Sequence, residues 1–329
     1  MSIPKRENTI QSIADSYVDR ELFSGIEWLV EKSGTVILSG KSGYQNFKEK
    51  TPIPNNAIYR IYSMTKPITS VMALKLIEEG KLRLYDLVSS FIPSFEDLKV
   101  MKPDGSIEDL DRPMIIEDLF THRSGLTYDF LPGCHVAPLY SEKDISDDGS
   151  VNLEEKCESL SRLPLAYQPG SRFNYSVSID VLARIIEVIS EKDFEEILKE
   201  EIFEPLDMKD TGFSVKEKNL PRLMSTYGAS NFKEIMNIGP HSLKETDVNQ
   251  HNPYLKGDHF RRGGTGLFST ISDYLSFGRM LLTGKSKSGK IILSRNMIKF
   301  MRVNRIPDTQ LPIMLSLIHI SEPTRPRLI

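Results

Sequence analysis

The sequence predicts an α+β protein: an α/β domain assembled from both ends of the chain, with a mainly helical domain inserted. Three observations carry this. Near the N-terminus two β-rich runs, 26–31 (IEWLVE) and 35–38 (TVIL), flank Lys32-Ser33-Gly34, which reads as a hairpin. Between about 90 and 214, β-rich runs are scarce and helical patches alternate with Pro/Gly loops. From about 215 the pattern is mixed again. The expected domains are therefore 1–89 with 215–314, and 90–214. A chain of 329 residues is too long for one small core and fits two domains.

The elements come in this order. Ile10, Ile13, Ala14 and Val18 recur at helical spacing over about 6–20. A long helix is expected from Ser63 to near Gly80, a natural C′ residue. The patches IEDLFTH, LEEKCESLSRL and SIDVLARIIEVISEKDFEEILKEEIF read as helices of the insertion. Late in the chain, GGTGLFSTISDYLSFGRMLLTGK is a glycine-rich loop leading into a helix, with Ser272 or Asp273 near its start and Gly284 at its end.

Composition excludes several function classes. There are 42 basic and 45 acidic residues, a net charge of −3, which gives no electrostatic case for nucleic acid or an anionic membrane. No run is long and apolar enough to span a membrane, and the N-terminus lacks a signal-peptide core, so a cytoplasmic protein is expected. Cys134 and Cys157 have no metal-type spacing and read as a loose thiol pair. The six histidines make no zinc pattern, and there is no H-E-x-x-H and no G-x-S-x-G. Gly284-Lys285-Ser286 resembles the end of a phosphate-binding loop, but Arg279 stands where its first glycine belongs. Gly263-Gly264-Thr265-Gly266 reads as a close-packed backbone turn.

Ser63 and Lys66 remain. Residues three apart share a helix face, so hydroxyl and amine can meet. A serine hydroxyl needs a base to take its proton, and lysine serves when its pKa is lowered. Pro67 is tolerated only in a first turn, which puts Ser63 at or just before the helix N-terminus. There the helix dipole and free N–H groups favour a developing oxyanion. From these four residues alone, two readings stand: a nucleophile with its base, or an N-cap serine.

Longer segments add a resemblance. YRIYSMTKPITSVMALKLIEEGKLRLYDLVSSFIP resembles the active-site helix of the serine β-lactamase-related superfamily, which includes class C β-lactamases, penicillin-binding proteins, D-aminopeptidases and family VIII carboxylesterases. IIEDLFTHRSGL, YQPGSRFNYSVSIDVLARIIEVISEKDFEEILKEEIFEPLDMKDTGF with its P-G-x-x-x-x-Y-S motif at Tyr175-Ser176, and GGTGLFSTISDYLSFGRMLL resemble later family segments in the family's order. The resemblance implies a β-lactamase-like fold, an antiparallel sheet flanked by helices. It also implies Ser63 as acylated nucleophile, Lys66 as its base and Tyr175 as proton-passing partner. No metal or cofactor is implied, and the substrate would be a small ester or amide.

Two departures shape the expected activity. Val177 stands where class C enzymes typically carry a substrate-contacting asparagine, which favours ester over β-lactam hydrolysis. The third motif, K-T-G or its esterase variants, is missing; Lys287-Ser288-Gly289 reads as turn chemistry. The expected function is a carboxylesterase acting through an acyl-enzyme. The alternatives are a β-lactamase or D-amino-acid peptidase/transpeptidase with the same Ser-Lys-Tyr machinery, and a catalytically silent truncated homologue. Residues 315–325 (LSLIHISEPTR) match the translation of a transposon-type sequencing adapter. Residues 315–329 are thus expected to be non-native, and the family pattern to break near Met314, before its last strands.

Overall fold

The computed structural model describes residues 3–131, 133–146, 149–228, 243–245 and 261–311. In chain order these begin with α1 (Ile3–Asp19), β1 (Gly25–Lys32), β2 (Thr35–Asn46), β3 (Thr51–Pro52), β4 (Ile58–Arg60) and α2 (Thr65–Glu78). Next come β5 (Lys99–Met101), β6 (Ile107–Asp109), α3 (Ile116–Phe120), α4 (Ala137–Glu142), α5 (Leu153–Ser161), α6 (Ser178–Ser190) and α7 (Phe194–Leu198). The last are β7 (Tyr227–Gly228), β8 (Lys244–Glu245), β9 (Phe268–Thr270), α8 (Ile271–Thr283) and α9 (Arg295–Met301). All strand pairings between these strands are antiparallel.

The chain separates into two compact units, Met1–Ile68 with Lys192–Ile298, and Thr69–Glu191 with Lys299–Ile329. These limits differ from 90–214 because compactness reflects contacts, whereas composition reflects the loss of β-rich runs. The β5–β6 hairpin, which pairs Lys99 with Asp109, lies in a stretch that reads as helical and loop-rich in sequence.

In the first unit, β1 and β2 form the expected hairpin. Ser33 (φ 52°) and Gly34 (φ 81°) are both left-handed, the twist a two-residue hairpin turn requires. β2 carries β3 on its far edge, so β1 is the edge strand of this sheet among the described residues. Helix α1 packs on β2 with Ala14 and Val18 buried, and Ser42 Oγ donates to Asp15 at 2.6 Å. Helix α8 packs on β1, joined by the Arg279 guanidinium, which donates to both Glu31 carboxylate oxygens. Thr270 caps α8 by accepting from Asp273 N–H, and Gly284 closes it in the left-handed region. The β4–β9 pair brings residues 58–60 against 268–270.

The second unit is built around α6, whose Val181, Leu182, Ala183, Ile185 and Ile186 are fully buried. Helices α3 and α5 pack on it. Lys156 of α5 and Asp180 of α6 form an ion pair at 2.8 Å with both side chains only 2% exposed. Such a pair gains less from attraction than it loses in hydration, yet breaking it strands a buried charge. Cys134 and Cys157 are both free and buried, and burial pushes the Cys157 thiol up.

Lys156→Ala is expected to destabilise the protein by about 3–5 kcal/mol, and the double change Lys156→Met/Asp180→Leu to recover most of that loss. Urea unfolding of the two variants beside the unmodified chain checks both.

Candidate active site

The segment that carries Ser63 starts at the end of β4. Ile61 N–H donates to the Leu267 carbonyl at 2.9 Å, and residues Tyr62–Met64 then make one 3₁₀ turn. Tyr62 has φ 43°, a left-handed conformation that a bulky residue holds only where its surroundings impose it. Helix α2 begins at Thr65, which leaves Pro67 in the first helical turn, where its missing N–H does least harm. Ser63, one residue before Met64, is exposed, while Thr65 is fully buried and Lys66 is 9% exposed. The expected long helix is therefore two pieces, a turn that presents Ser63 and a helix that buries the residues after it.

Lys66 points back at Ser63. Its Nζ lies 3.1 Å from Ser63 Oγ and 2.6 Å from the Gly264 carbonyl oxygen. A carbonyl only accepts, so it engages an N–H of the amine. In the neutral amine the lone pair is then left for another partner, and the nearby hydroxyl proton is in reach. The Gly263-Gly264-Thr265-Gly266 segment that supplies this carbonyl is mostly buried, and Gly266 takes φ 110°. A close-packed turn is what its composition suggests, and its carbonyl is part of the site.

Tyr175 lies in the second unit, half-buried between two rings. Its centroid is 4.8 Å from His122 and 5.2 Å from Tyr128. The loop that carries it is fixed by the T-H-R-S-G-L segment. Asn174 N–H donates to the His122 carbonyl (2.8 Å) and its side chain to the Leu126 carbonyl (2.8 Å). Ser176 N–H donates to His122 Nδ1 at 3.2 Å, which makes Nδ1 an acceptor and puts the proton of a neutral ring on Nε2. The hydroxyls of Ser176, Ser178 and Ser124 continue the chain at 2.6 and 2.7 Å. Gly125 has φ 86°, and a Cβ there would sit 2.0 Å from the Tyr167 carbonyl oxygen.

The structure thus brings Ser63 and Lys66 into contact within the first unit and sets Tyr175 in a built loop of the second. Val177 is fully buried and precedes α6. Lys287-Ser288-Gly289 forms a turn, with Gly289 N–H donating to the Ser286 carbonyl at 3.0 Å, in keeping with its composition. Residues 315–329, with the expected break near Met314, lie outside the described residues. Among the described residues no cluster of ligating side chains could hold a metal ion, and no helix is long and apolar enough to cross a membrane.

Several residues have roles that sequence reading passed over. His122, Ser124, Asn174 and Ser178 hold the Tyr175 loop, and Leu267 and Tyr274 touch the Ser63 turn; Tyr274 Oη donates to the Met64 carbonyl at 3.0 Å. Their signal was present, because they fall in the segments that resemble the superfamily, but nothing marks which of them touch. An open, largely apolar groove of about 660 Å³ also adjoins the turn, with Leu29, Tyr59, Ile61, Tyr62, Met64 and Tyr274 in its wall. Glu27, the carboxylate among the described residues of its wall, accepts from Tyr59 Oη at 3.1 Å, and burial raises the pKa of both groups.

The sequence profile of the Beta-lactamase family matches residues 10–310. The chain belongs to this family. Protein Rv1367c of Mycobacterium tuberculosis is 32% identical over 320 residues, 94% of this chain and 74% of that protein. Esterase EstB of Burkholderia gladioli is 28% identical over 208 residues, 62% of this chain and 50% of the esterase. Among solved structures, EstCE1, a hydrolase with promiscuous acyltransferase activity, matches with a TM-score of 0.72 at 25% identity, over 90% of this chain and 77% of its own. The expected β-lactamase-like fold is thus the observed one, and the chain is a hydrolase of the serine β-lactamase fold.

Gly125→Ala is expected to destabilise the protein by about 2 kcal/mol or more, because the added methyl meets a carbonyl and the backbone is left-handed. Thermal unfolding followed by circular dichroism checks it; an unchanged midpoint contradicts the role given to this glycine.

Proposed function

We propose that this chain hydrolyses small carboxylic esters through an acyl-enzyme on Ser63. The observation that carries the reading is the exposed Ser63 hydroxyl, 3.1 Å from the Nζ of a Lys66 that the Gly264 carbonyl holds at 2.6 Å. Tyr175 is assigned from its P-G-x-x-x-x-Y-S motif as the partner that carries protons to and from the leaving group.

Those groups dictate the steps. Ser63 Oγ adds to the ester carbonyl carbon as its proton passes to Lys66 Nζ, and the Ser63 N–H is one oxyanion donor. The C–O bond to the alcohol breaks, the alcohol departs with the proton relayed through Tyr175, and Ser63 is left acylated. Water then adds to the acyl carbon and gives a proton to the same relay. The bond to Ser63 Oγ breaks, the serine regains its proton and the carboxylic acid is released. The scheme needs no metal or cofactor.

Ester rather than β-lactam hydrolysis is favoured by Val177, which is fully buried and has no amide to offer a substrate. The likeness to an esterase supports the same choice.

Treatment with a fluorophosphonate followed by mass spectrometry is expected to place one adduct on Ser63, absent in Ser63→Ala. Lys66→Met is expected to slow labelling by about 10²–10⁴-fold, the range for loss of a positioned base. Hydrolysis of a short-chain p-nitrophenyl ester should outpace that of a chromogenic cephalosporin. The reverse order would make this a β-lactamase, and a folded protein that takes no label would be catalytically silent.

A further inference from the structure

We propose that Thr65 is a positioning residue for Ser63, with Tyr274 as its second support. The inference rests on Ser63 being the nucleophile. The turn that presents Ser63 is short, and Pro67, in the first turn of the helix after it, has no N–H to donate to the Ser63 carbonyl. Other groups hold it. Two residues before Ser63, Ile61 N–H donates to the Leu267 carbonyl at 2.9 Å. Two residues after it, Thr65 Oγ1 accepts from Leu267 N–H at 3.3 Å. One residue of the segment leading into β9 therefore holds both ends of the turn.

Burial gives these bonds their value. Thr65 and Leu267 are fully buried, and an amide left unmatched there is costly. Tyr274 of α8 adds a third point through Met64, next to the nucleophile. Its hydroxyl donates to the Met64 carbonyl at 3.0 Å, and burial pushes its pKa up to about 12, so the donor proton is kept. Lys66, the next residue after Thr65, is tied to the same stretch through Gly264. Nucleophile and base are thereby referenced to one piece of backbone, residues 264–274. The Thr65 and Tyr274 supports can each be removed by a side-chain change that leaves the reacting groups untouched.

The test uses Thr65→Val, which keeps the shape and removes the acceptor, Thr65→Ser, which restores it, and Tyr274→Phe. Two readouts are taken: the limiting rate and half-saturation of fluorophosphonate acylation at Ser63, and hydrogen exchange over residues 61–66. In Thr65→Val the limiting rate is expected to fall roughly tenfold or more with half-saturation unchanged, since a misplacement on the order of 1 Å suffices for that. Exchange over the turn should quicken, Thr65→Ser should recover both values, and Tyr274→Phe should show the same pattern more weakly. Wild-type acylation and exchange in Thr65→Val overturn the inference. An unmodified chain that takes no label overturns the proposed function instead, and the exchange comparison then decides the role of Thr65 by itself. Should Thr65→Val not fold, Tyr274→Phe carries both readouts, and wild-type values in both overturn the inference.

Discussion

The Lys66 side chain lies buried in the first unit with its Nζ between the Gly264 carbonyl and the Ser63 hydroxyl, at 2.6 and 3.1 Å. A buried amine is tolerated only when its polar atoms find partners. Both partners depend on backbone placed by other means. Gly264 belongs to a glycine-rich turn ahead of β9, and β9 pairs with β4, the strand that leads into the Ser63 turn. The pairing of two three-residue strands therefore sets the distance between an amine and a hydroxyl that are close in sequence but not made rigid by sequence alone. Strand pairing, the Pro67 constraint and the left-handed Tyr62 converge on the same few atoms.

The second unit solves a different problem with different means. Its Tyr175 loop is held by polar groups: the His122 ring and backbone, the Asn174 amide and the linked hydroxyls of Ser124, Ser176 and Ser178. Each of these serines is fully buried. Buried hydroxyls are stabilising only when matched, and here they match one another, so the loop has one satisfied arrangement. Below it, the Lys156–Asp180 pair ties α5 to the first turn of α6, close behind the same loop. The unit thus uses buried polarity where the first unit uses strand pairing.

Much of this was legible in the sequence. The hairpin turn announced itself because Ser33-Gly34 can only be punctuation between two β-rich runs. Pro67 fixed the start of α2, and Gly80 and Gly284 marked helix ends, since each acts through backbone chemistry that one residue type supplies. The β5–β6 hairpin was missed because three-residue strands carry too few positions for alternation to register. The contacts of Tyr274 and Leu267 were invisible for another reason: they join residues some two hundred positions apart, and one acts through its backbone. The left-handed Tyr62 had no sequence signal, because its conformation is imposed by its flanking structure.

The side of β1 that carries no strand among the described residues limits what could pair there. Among the described residues no strand pairs with the second side of β1 (GIEWLVEK), so the amides and carbonyls that do not meet β2 lie along that side. Trp28, Leu29 and Val30 give that edge an apolar centre, while Glu27, Glu31 and Lys32 interrupt it with charge. Charges placed so act as gatekeepers against strand-to-strand association. Glu31 is committed to Arg279 and burial raises the Glu27 pKa, which leaves Lys32, exposed at the end of the strand, as the outward charge among the described residues. Any extended segment that pairs along this side of β1 must accommodate that mixture of apolar and charged side chains.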